Sequence, residues 1–461
     1  MIQRLLFLLL LATCVLHAVP PNIVMIAVDD LNDWVGCLGG HPQARTPHID
    51  RLAKRGVLFT NAHCISPLCG PSRTAVFTGL RPHQTGIYDN NVWFRDVERL
   101  RNIPTLPRSL AAGGYKTVGI GKLFHTSVGD GMPKSEFQHT AKRGWANYGP
   151  FPEKPFNYHD KVFRLRDWAA WPPTDEENAD HVIASRAISF LKEKRDGPFF
   201  LAVGFFRPHA PFYASPKWHA LHPLDTLQMP PIKADDLDDV PPSGRAIMTR
   251  AFDPAWVREH GKAAELVQAY LAAVSFVDAQ VGRVLDALHA SPHRDSTIIV
   301  LWSDHGFHLG EKDHFGKTTL WERASHVPLI FAGPGIAADT RCTLPVSLLD
   351  LYPTLLALGQ CVPRPGLPGM DLTPLLQSPR TSREQPALIT YQRGNHAVRS
   401  EHWRYIRYAD GSEELYDLQS DPNEWTNLAS KPEHAAALAE HRQWLPEIEA
   451  APARKAAKSS R

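Results

Sequence analysis

Two pairs of residues, far apart in the chain, share one chemistry. Asp29 and Asp30 are adjacent carboxylates, and Asp304-His305 offers two further donor side chains. Adjacent carboxylates repel one another unless a cation is present. Carboxylate oxygens suit a hard cation such as calcium or magnesium. Any one aspartate could instead cap a helix, but four donors at two positions fit a metal better. An imidazole is less usual for calcium, which makes His305 the odd member. A second group starts at Cys69 and reads Cys69-Gly70-Pro71-Ser72-Arg73-Thr74-Ala75-Val76-Phe77-Thr78-Gly79. A cysteine just before a proline and a helix start sits where backbone amides stabilise negative charge. Arg73 can pair with an anion. Taken alone, the cysteine reads equally as a plain nucleophilic thiol or a disulfide partner. Lys122, His125 and His209 add cationic and acid–base side chains.

These residues need a frame, and the apolar pattern supplies one. Five short apolar runs end in polar residues. Ile23 to Val28 runs into Asp29-Asp30, and Thr117 to Gly121 into Lys122 and His125. Phe199 to Phe206 leads to Arg207-Pro208-His209, Thr297 to Trp302 to Asp304-His305, and Val327 to Ala332 to Gly333-Pro334-Gly335. Continuous apolar runs of this length suit buried strands of a largely parallel sheet. Helical patterns lie between them, as in Ala263 to Leu288, so the expected class is α/β with both sheet faces covered. Ligands in such sheets bind beyond the carboxyl ends of the strands. Polar residues follow strands in every α/β protein, but that does not account for so many Asp, His and Lys at these ends.

After about Pro374 the pattern changes. Ala387 to Tyr391, His396 to Arg399, Trp403 to Tyr408 and Glu414 to Leu418 read as short strands, with a turn at Asp410-Gly411. A helix is expected over Pro432 to Ile448. The predicted division is residues 20–374 as the catalytic domain, 375–450 as a small antiparallel subdomain, and 451–461 as a disordered tail. Residues 126–180 and 222–260 read as long irregular loops of the kind that often carry function.

The chain has 461 residues, too many for one small module. With 43% hydrophobic and 21% charged residues it is not a disordered chain, and a net charge of +2 gives no electrostatic case for nucleic acid. Residues 1–19 read as a signal peptide: Arg4, an apolar run through Leu11, and the small residue Ala18. Leu11-Ala12-Thr13-Cys14 offers a lipid-anchored alternative through Cys14. No later run is long and apolar enough to span a bilayer, so the expected protein is exported, to periplasm or medium. Five cysteines follow Cys14, an odd number; Cys342 and Cys361 flank one hydrophobic segment and are candidates to pair. No C-x-x-C occurs, which argues against a structural zinc site.

The Cys69 stretch resembles the sulfatase signature, Cys-x-Pro-Ser-Arg closed by Thr78-Gly79. In that family the cysteine becomes formylglycine. The remaining pieces lie in the family's order: Asp29-Asp30, Gly121-Lys122-x-x-His125, His209, Asp304-His305-Gly306 and Lys317. Leu415-Tyr416-Asp417-Leu418 with Asp421-Pro422 and Glu424 is similar to a late family segment. Within the family the chain is most similar to the iduronate 2-sulfatase group, through Gly121-Lys122-Leu123-Phe124-His125, the run into Pro208-His209, and His326-Val327-Pro328-Leu329. Asp-His at the metal also fits that group. Phe206 and Arg207 depart from its His and Lys, and Phe307 replaces its Trp. Those positions are expected near the substrate, which puts iduronate itself in question.

The resemblance implies an alkaline-phosphatase-like α/β sandwich with a large, mostly parallel sheet and a small antiparallel carboxyl-terminal subdomain. It implies calcium held by Asp29, Asp30, Cys69 (as formylglycine), Asp304 and His305. It also implies a formylglycine-generating enzyme as maturation partner and a sulfated, uronic-acid-containing oligosaccharide as substrate. The implied reaction runs on an aldehyde hydrate. One hydroxyl, deprotonated with help from Asp304 and the metal, attacks sulfur and displaces the alcohol. The other drives out sulfate, with His125 taking its proton. His209 is the candidate acid for the leaving alcohol. Arg73, Lys122 and Lys317 offset charge on the sulfate oxygens, and Lys317 is also a candidate partner for a substrate carboxylate. Two other readings stand beside this one: a phosphonate or phosphodiester hydrolase on the same scaffold, and a non-catalytic sulfated-glycan-binding protein. Trp93, Phe94 and Arg95 read as pocket mouth or as a buried aromatic pair. His308 is a possible substrate contact, while His41, His48, His63 and His326 read as structural.

Overall fold

The computed structural model describes residues 20–125, 135–140, 149–158, 166–249, 251–379 and 381–454. The expected signal peptide, the Cys14 anchor and residues 455–461 of the expected tail lie outside the described residues, as does much of the expected 126–180 loop. All five apolar runs are strands. The large sheet comprises β1 (Asn22–Val28), β2 (Gly56–Phe59), β3 (Lys116–Gly121), β4 (His139–Thr140), β5 (Phe199–Phe205), β6 (Thr297–Ser303), β7 (Leu329–Ala332) and β8 (Thr340–Cys342), in spatial order β8-β2-β7-β6-β1-β5-β3-β4. Neighbours are parallel except at β7, which runs antiparallel to both β6 and β2. The sheet is therefore mostly parallel, with one reversed strand inside it.

Side-chain alternation on the strands divides the core. Ile23, Met25 and Ala27 of β1 face one cluster, and Val24, Ile26 and Val28 face the other. The first face is covered by α2 (Cys69–Thr78), α3 (Leu106–Ala112) and α6 (Leu351–Leu358). The second is covered by α1 (Pro47–Ala53), α4 (Ala179–Lys192) and the 27-residue α5 (Ala263–His289). Burial on both sides explains why the strands read as continuous apolar runs rather than alternating ones.

The late segment forms a second sheet of β9 (Ala387–Thr390), β10 (His396–Arg399), β11 (Trp403–Arg407) and β12 (Glu413–Asp417), antiparallel and in sequence order. Ala387, Ile389, Ala397, Ile406 and Tyr416 join the same apolar cluster as Val57, Phe59 and Trp302 of the large sheet. The terminal helix is shorter than expected: α7 covers Ala435–Arg442 after a single 3-10 turn. Pro446 cannot continue a helix, and Ile448 is exposed. The start of the tail is tied down, since the Ala450 and Ala453 amides donate to the His83 and Gly86 carbonyls at 2.7 and 2.8 Å. The five described cysteines are all free thiols, so the Cys342–Cys361 pairing is not formed. Cys342 lies in edge strand β8, while Cys361 follows α6 with its sulfur against Gly113. The 222–260 segment carries two short helices, Pro242–Ala246 and Pro254–Glu259.

Candidate active site

Four strand ends and one helix start meet at one place. Asp29 and Asp30 follow β1, Lys122 and His125 follow β3, His209 follows β5, and Asp304 and His305 follow β6. Cys69 is the first residue of α2, whose every residue is buried. The helix begins there because Leu68 is extended and Pro71 in the first turn has no amide to satisfy. Asn90 Oδ1 accepts the Gly70 amide at 2.7 Å. A side chain at Gly70 would collide with that oxygen, its Cβ falling 2.5 Å away. Lys317 follows a small hairpin that pairs His308–Leu309 with Phe315–Gly316.

The Cys69 sulfur is the centre of the group. His305 Nε2 lies 3.2 Å from Sγ, Lys317 Nζ 3.1 Å and Lys122 Nζ 3.8 Å. The His125 side chain hydrogen-bonds the same sulfur. Lys317 Nζ also bonds Asp30 Oδ1 at 2.7 Å, and Lys122 pairs with Asp29. Arg73 is fully buried. Its Nε bonds Asp304 Oδ2 at 2.7 Å, its Nη2 lies 3.3 Å from Asp29 Oδ1, and its Nη1 donates to the Lys122 carbonyl. His209 Nε2 stands 4.0 Å from Asp30 Oδ2, with Nδ1 on the Ala210 carbonyl. The ten residues singled out in the sequence are thus brought together without exception.

The electrostatics follow from burial among charges. Burial would raise the Cys69 thiol, but Lys122, Lys317 and His305 outweigh it and hold the group well below its ordinary value. Burial and Cys69 would raise the Asp29 carboxyl, yet Lys122, His209 and Arg73 together bring it far below the carboxylate range. Asp304 is pushed up to about 6, mainly by burial against the opposing pull of Arg73. His305 resists the lowering effect of burial because Asp304 lies beside it, and rises to about 9.

This donor set fits a hard divalent cation. Ligand atoms of Asp29, Asp30, Cys69 and His209, and of Asp29, Cys69, Asp304 and His305, form two groups whose members lie within 4.8 Å of one another. Asp30 Oδ2 is buried with no hydrogen-bond partner, a costly arrangement unless something else coordinates it. Nδ1 of His305 faces the Gly306 carbonyl at 3.0 Å, which leaves Nε2 toward the cluster.

Further residues support the site, and Asp180 among them carries no sequence signal. Asp180, at the start of α4, accepts the Phe206 and Arg207 amides at 2.8 Å each and so fixes the turn leading to His209. Ser72 Oγ donates to the Asp304 carbonyl at 2.7 Å. The three positions that depart from the iduronate 2-sulfatase pattern are buried. Phe307 packs against Phe212 and Tyr270, and Arg207 Nε donates to the Tyr213 carbonyl at 2.9 Å. His308 is also buried, bonded to Thr319 Oγ1 at 2.8 Å. Phe94 is buried against Trp93, with Arg95 held by Glu136, so this trio is packing. His41, His63 and His326 hold the Gln228 carbonyl, Asn61 Oδ1 and the Thr60 carbonyl respectively.

Fold and site together define a class, that of sulfuric ester hydrolases. Residues 21–360 match the family model described as Sulfatase, and residues 310–451 match that described as N-sulphoglucosamine sulphohydrolase, C-terminal. The chain belongs to the sulfatase family. It is 44% identical over 426 residues to a sulfatase of Formosa agariphila, covering 89% of this chain and 83% of that one. It is 33% identical over 390 residues to the iduronate 2-sulfatase of Homo sapiens, covering 77% and 67%. Among solved structures, a 2-O GAG sulfatase superimposes with a TM-score of 0.71 at 26% identity, covering 92% of this chain and 90% of that one.

Proposed function

We propose that the protein removes a sulfate ester from a sulfated glycan whose sulfated sugar is a uronic acid, in the manner of the iduronate 2-sulfatases. The observation that carries this reading is the convergence of Lys122, Lys317, His125 and His305 on Cys69 Sγ at the buried start of α2. The similarity to a 2-O GAG sulfatase and to iduronate 2-sulfatase supports the substrate class. The sulfur stands in for the oxygens that position 69 would carry as formylglycine. When formed, that residue supplies an oxygen nucleophile on a carbon able to release sulfate by reverting to an aldehyde. Asp29, Asp30, Asp304, His305 and position 69 would hold calcium, whose chemistry is to polarise a sulfate oxygen.

The chain's own residues do the rest. Lys122 and Lys317 bring two ammonium groups to where the sulfate oxygens gather charge, in a site already screened from water. Arg73 gives one N–H from each of its three nitrogens to Asp304, Asp29 and the Lys122 carbonyl, so its part is to hold the two carboxylates in register. His125 is within reach of position 69 and takes its proton. His209, whose Nε2 stands 4.0 Å from Asp30 Oδ2, protonates the departing alcohol. Among the described residues no helix is long and apolar enough to cross a membrane; the apolar run ahead of Ala18 supports export.

The test is sulfate release from a heparin-derived disaccharide bearing a 2-O-sulfated uronate. The protein is co-produced with a formylglycine-generating enzyme, and Cys69→Ala serves as control. Release by the wild type alone is expected. No release from protein whose formylglycine is verified by peptide mass spectrometry would sink the uronate reading. Turnover of a matched phosphonate or phosphate diester instead would transfer the site to that chemistry.

A further inference from the structure

The turn that presents Asp30 is built in an unusual way. Asp30 has φ +61°, a left-handed conformation that a non-glycine residue adopts at a cost. The three amides from Asp30 to Asn32 are each taken by a side chain from a distant element. Asp304 Oδ1 accepts the Asp30 amide at 3.1 Å, Ser303 Oγ the Leu31 amide at 3.0 Å, and Tyr270 Oη the Asn32 amide at 3.0 Å. The same Tyr270 hydroxyl donates to the Asp30 carbonyl at 2.8 Å, and Ser303 Oγ donates to the His305 carbonyl at 3.0 Å. Tyr270 therefore bridges both ends of the strained turn, while Ser303 ties it to the segment carrying His305. Both side chains are inaccessible to solvent. The outcome is that Asp30 Oδ2 is buried with no hydrogen-bond partner and lies 4.0 Å from His209 Nε2.

From this geometry we infer that Tyr270 and Ser303 are positioning residues for the cation site, holding Asp30 in the one conformation that presents its orphaned oxygen. The inference rests on the reading of the site as a calcium site. Neither residue touches substrate. They act through Asp30 by keeping the carboxylate pre-oriented, so that binding a cation needs no further ordering.

Tyr270→Phe removes one oxygen and keeps the ring, which packs against Trp34, Phe212 and Phe307. Calcium titration by calorimetry, on formylglycine-containing protein stripped with chelator, is expected to give an affinity about tenfold or more below wild type, as for other outer-shell partners of metal ligands. Turnover at saturating calcium should recover, while the calcium concentration for half-maximal activity rises. Tyr115→Phe is the matched control. Its buried hydroxyl donates to the Pro21 carbonyl at 2.8 Å, ahead of β1 and away from the site. It should alter baseline stability without altering the calcium affinity. Ser303→Ala provides a second test should Tyr270→Phe not be recovered folded, with the same direction expected. If the wild type binds calcium and both variants bind it equally well, the inference is overturned. If the wild type shows neither heat of binding nor calcium-dependent thermal stabilisation, the calcium reading itself fails.

Discussion

Arg73 shows how one side chain can serve both fold and site. It is wholly buried and its charge is answered chiefly by Asp304 and Asp29. Replacing it with Met would remove the cation shared by two buried carboxylates, leaving Lys122 on Asp29 and His305 beside Asp304. Breaking such a cluster from one side costs about 3–5 kcal/mol, so Arg73→Met should lower the unfolding free energy by about that much in chelator, measured by urea denaturation. Calcium should restore part of the loss, since a cation between Asp29 and Asp304 does the same electrostatic work. Equal losses with and without calcium would contradict this. Arg73 was legible in the sequence because its spacing from Cys69 is a motif. Tyr270 was not, because a tyrosine on an apolar helical face looks like core, and only its hydroxyl's two bonds distinguish it.

At the scale of elements, α5 was evident from its periodicity, but what it does for its neighbour was not. Helix α1 has no side-chain cap of its own. Asp278 of α5 supplies one from a distance, accepting the Ile49 amide at 2.8 Å and the His48 amide at 3.2 Å. Burial dominates over these bonds and pushes the Asp278 carboxyl from 3.8 up to about 7. The folded state therefore binds its proton more tightly than the unfolded one. The associated stability is fully present below about pH 3.8 and is lost as pH rises towards about 7. Asp278→Asn removes this dependence. The stability of wild type relative to Asp278→Asn should fall between pH 4.5 and 7.5, by on the order of 1 kcal/mol or more. A difference that is flat or rises with pH would show the carboxylate to be better satisfied than its surroundings indicate. The reversed direction of β7 was also hidden, since an apolar run fits a central strand of either direction.

For the molecule as a whole, the question is whether the two sheets are separable. The family matches overlap between residues 310 and 360, which argues against a clean division. So does the packing, because one apolar cluster takes residues from both sheets. Polar contacts cross the same boundary. Arg404 of β11 is fully buried, donating to the Leu320 carbonyl and Ser325 Oγ and pairing with Glu322 and with Glu424 at 3.0 Å. Lys312, on the hairpin before Lys317, is buried against Asp236 at 2.6 Å and the Glu424 carbonyl. We propose that the subdomain boundary near residue 374 marks a change of architecture and not an independent folding unit. Calorimetry should show one unfolding transition, and Arg404→Met should shift that whole transition downward. Two separated transitions, with only one moved by the substitution, would refute it.

What could be read along the chain was whatever depends on neighbours in sequence. The strands and α5 follow from periodicity, the helix at Cys69 from its proline, and the ten site residues from motif spacing and from their positions after strand ends. Those properties are local, because backbone period and side-chain type are set within a few residues. Long-range contacts made the remaining decisions. Cys342 and Cys361 stay free because the fold sends one to a sheet edge and the other against Gly113. The terminal helix stops early, and the 450–453 segment is bonded to His83 and Gly86, far away in the chain. The Asp30 turn owes its shape to Ser303 and Tyr270, more than 230 residues distant. Bonds of that kind leave no period and no spacing, since any serine or tyrosine offers the same hydroxyl and only the packed structure determines which amide it meets.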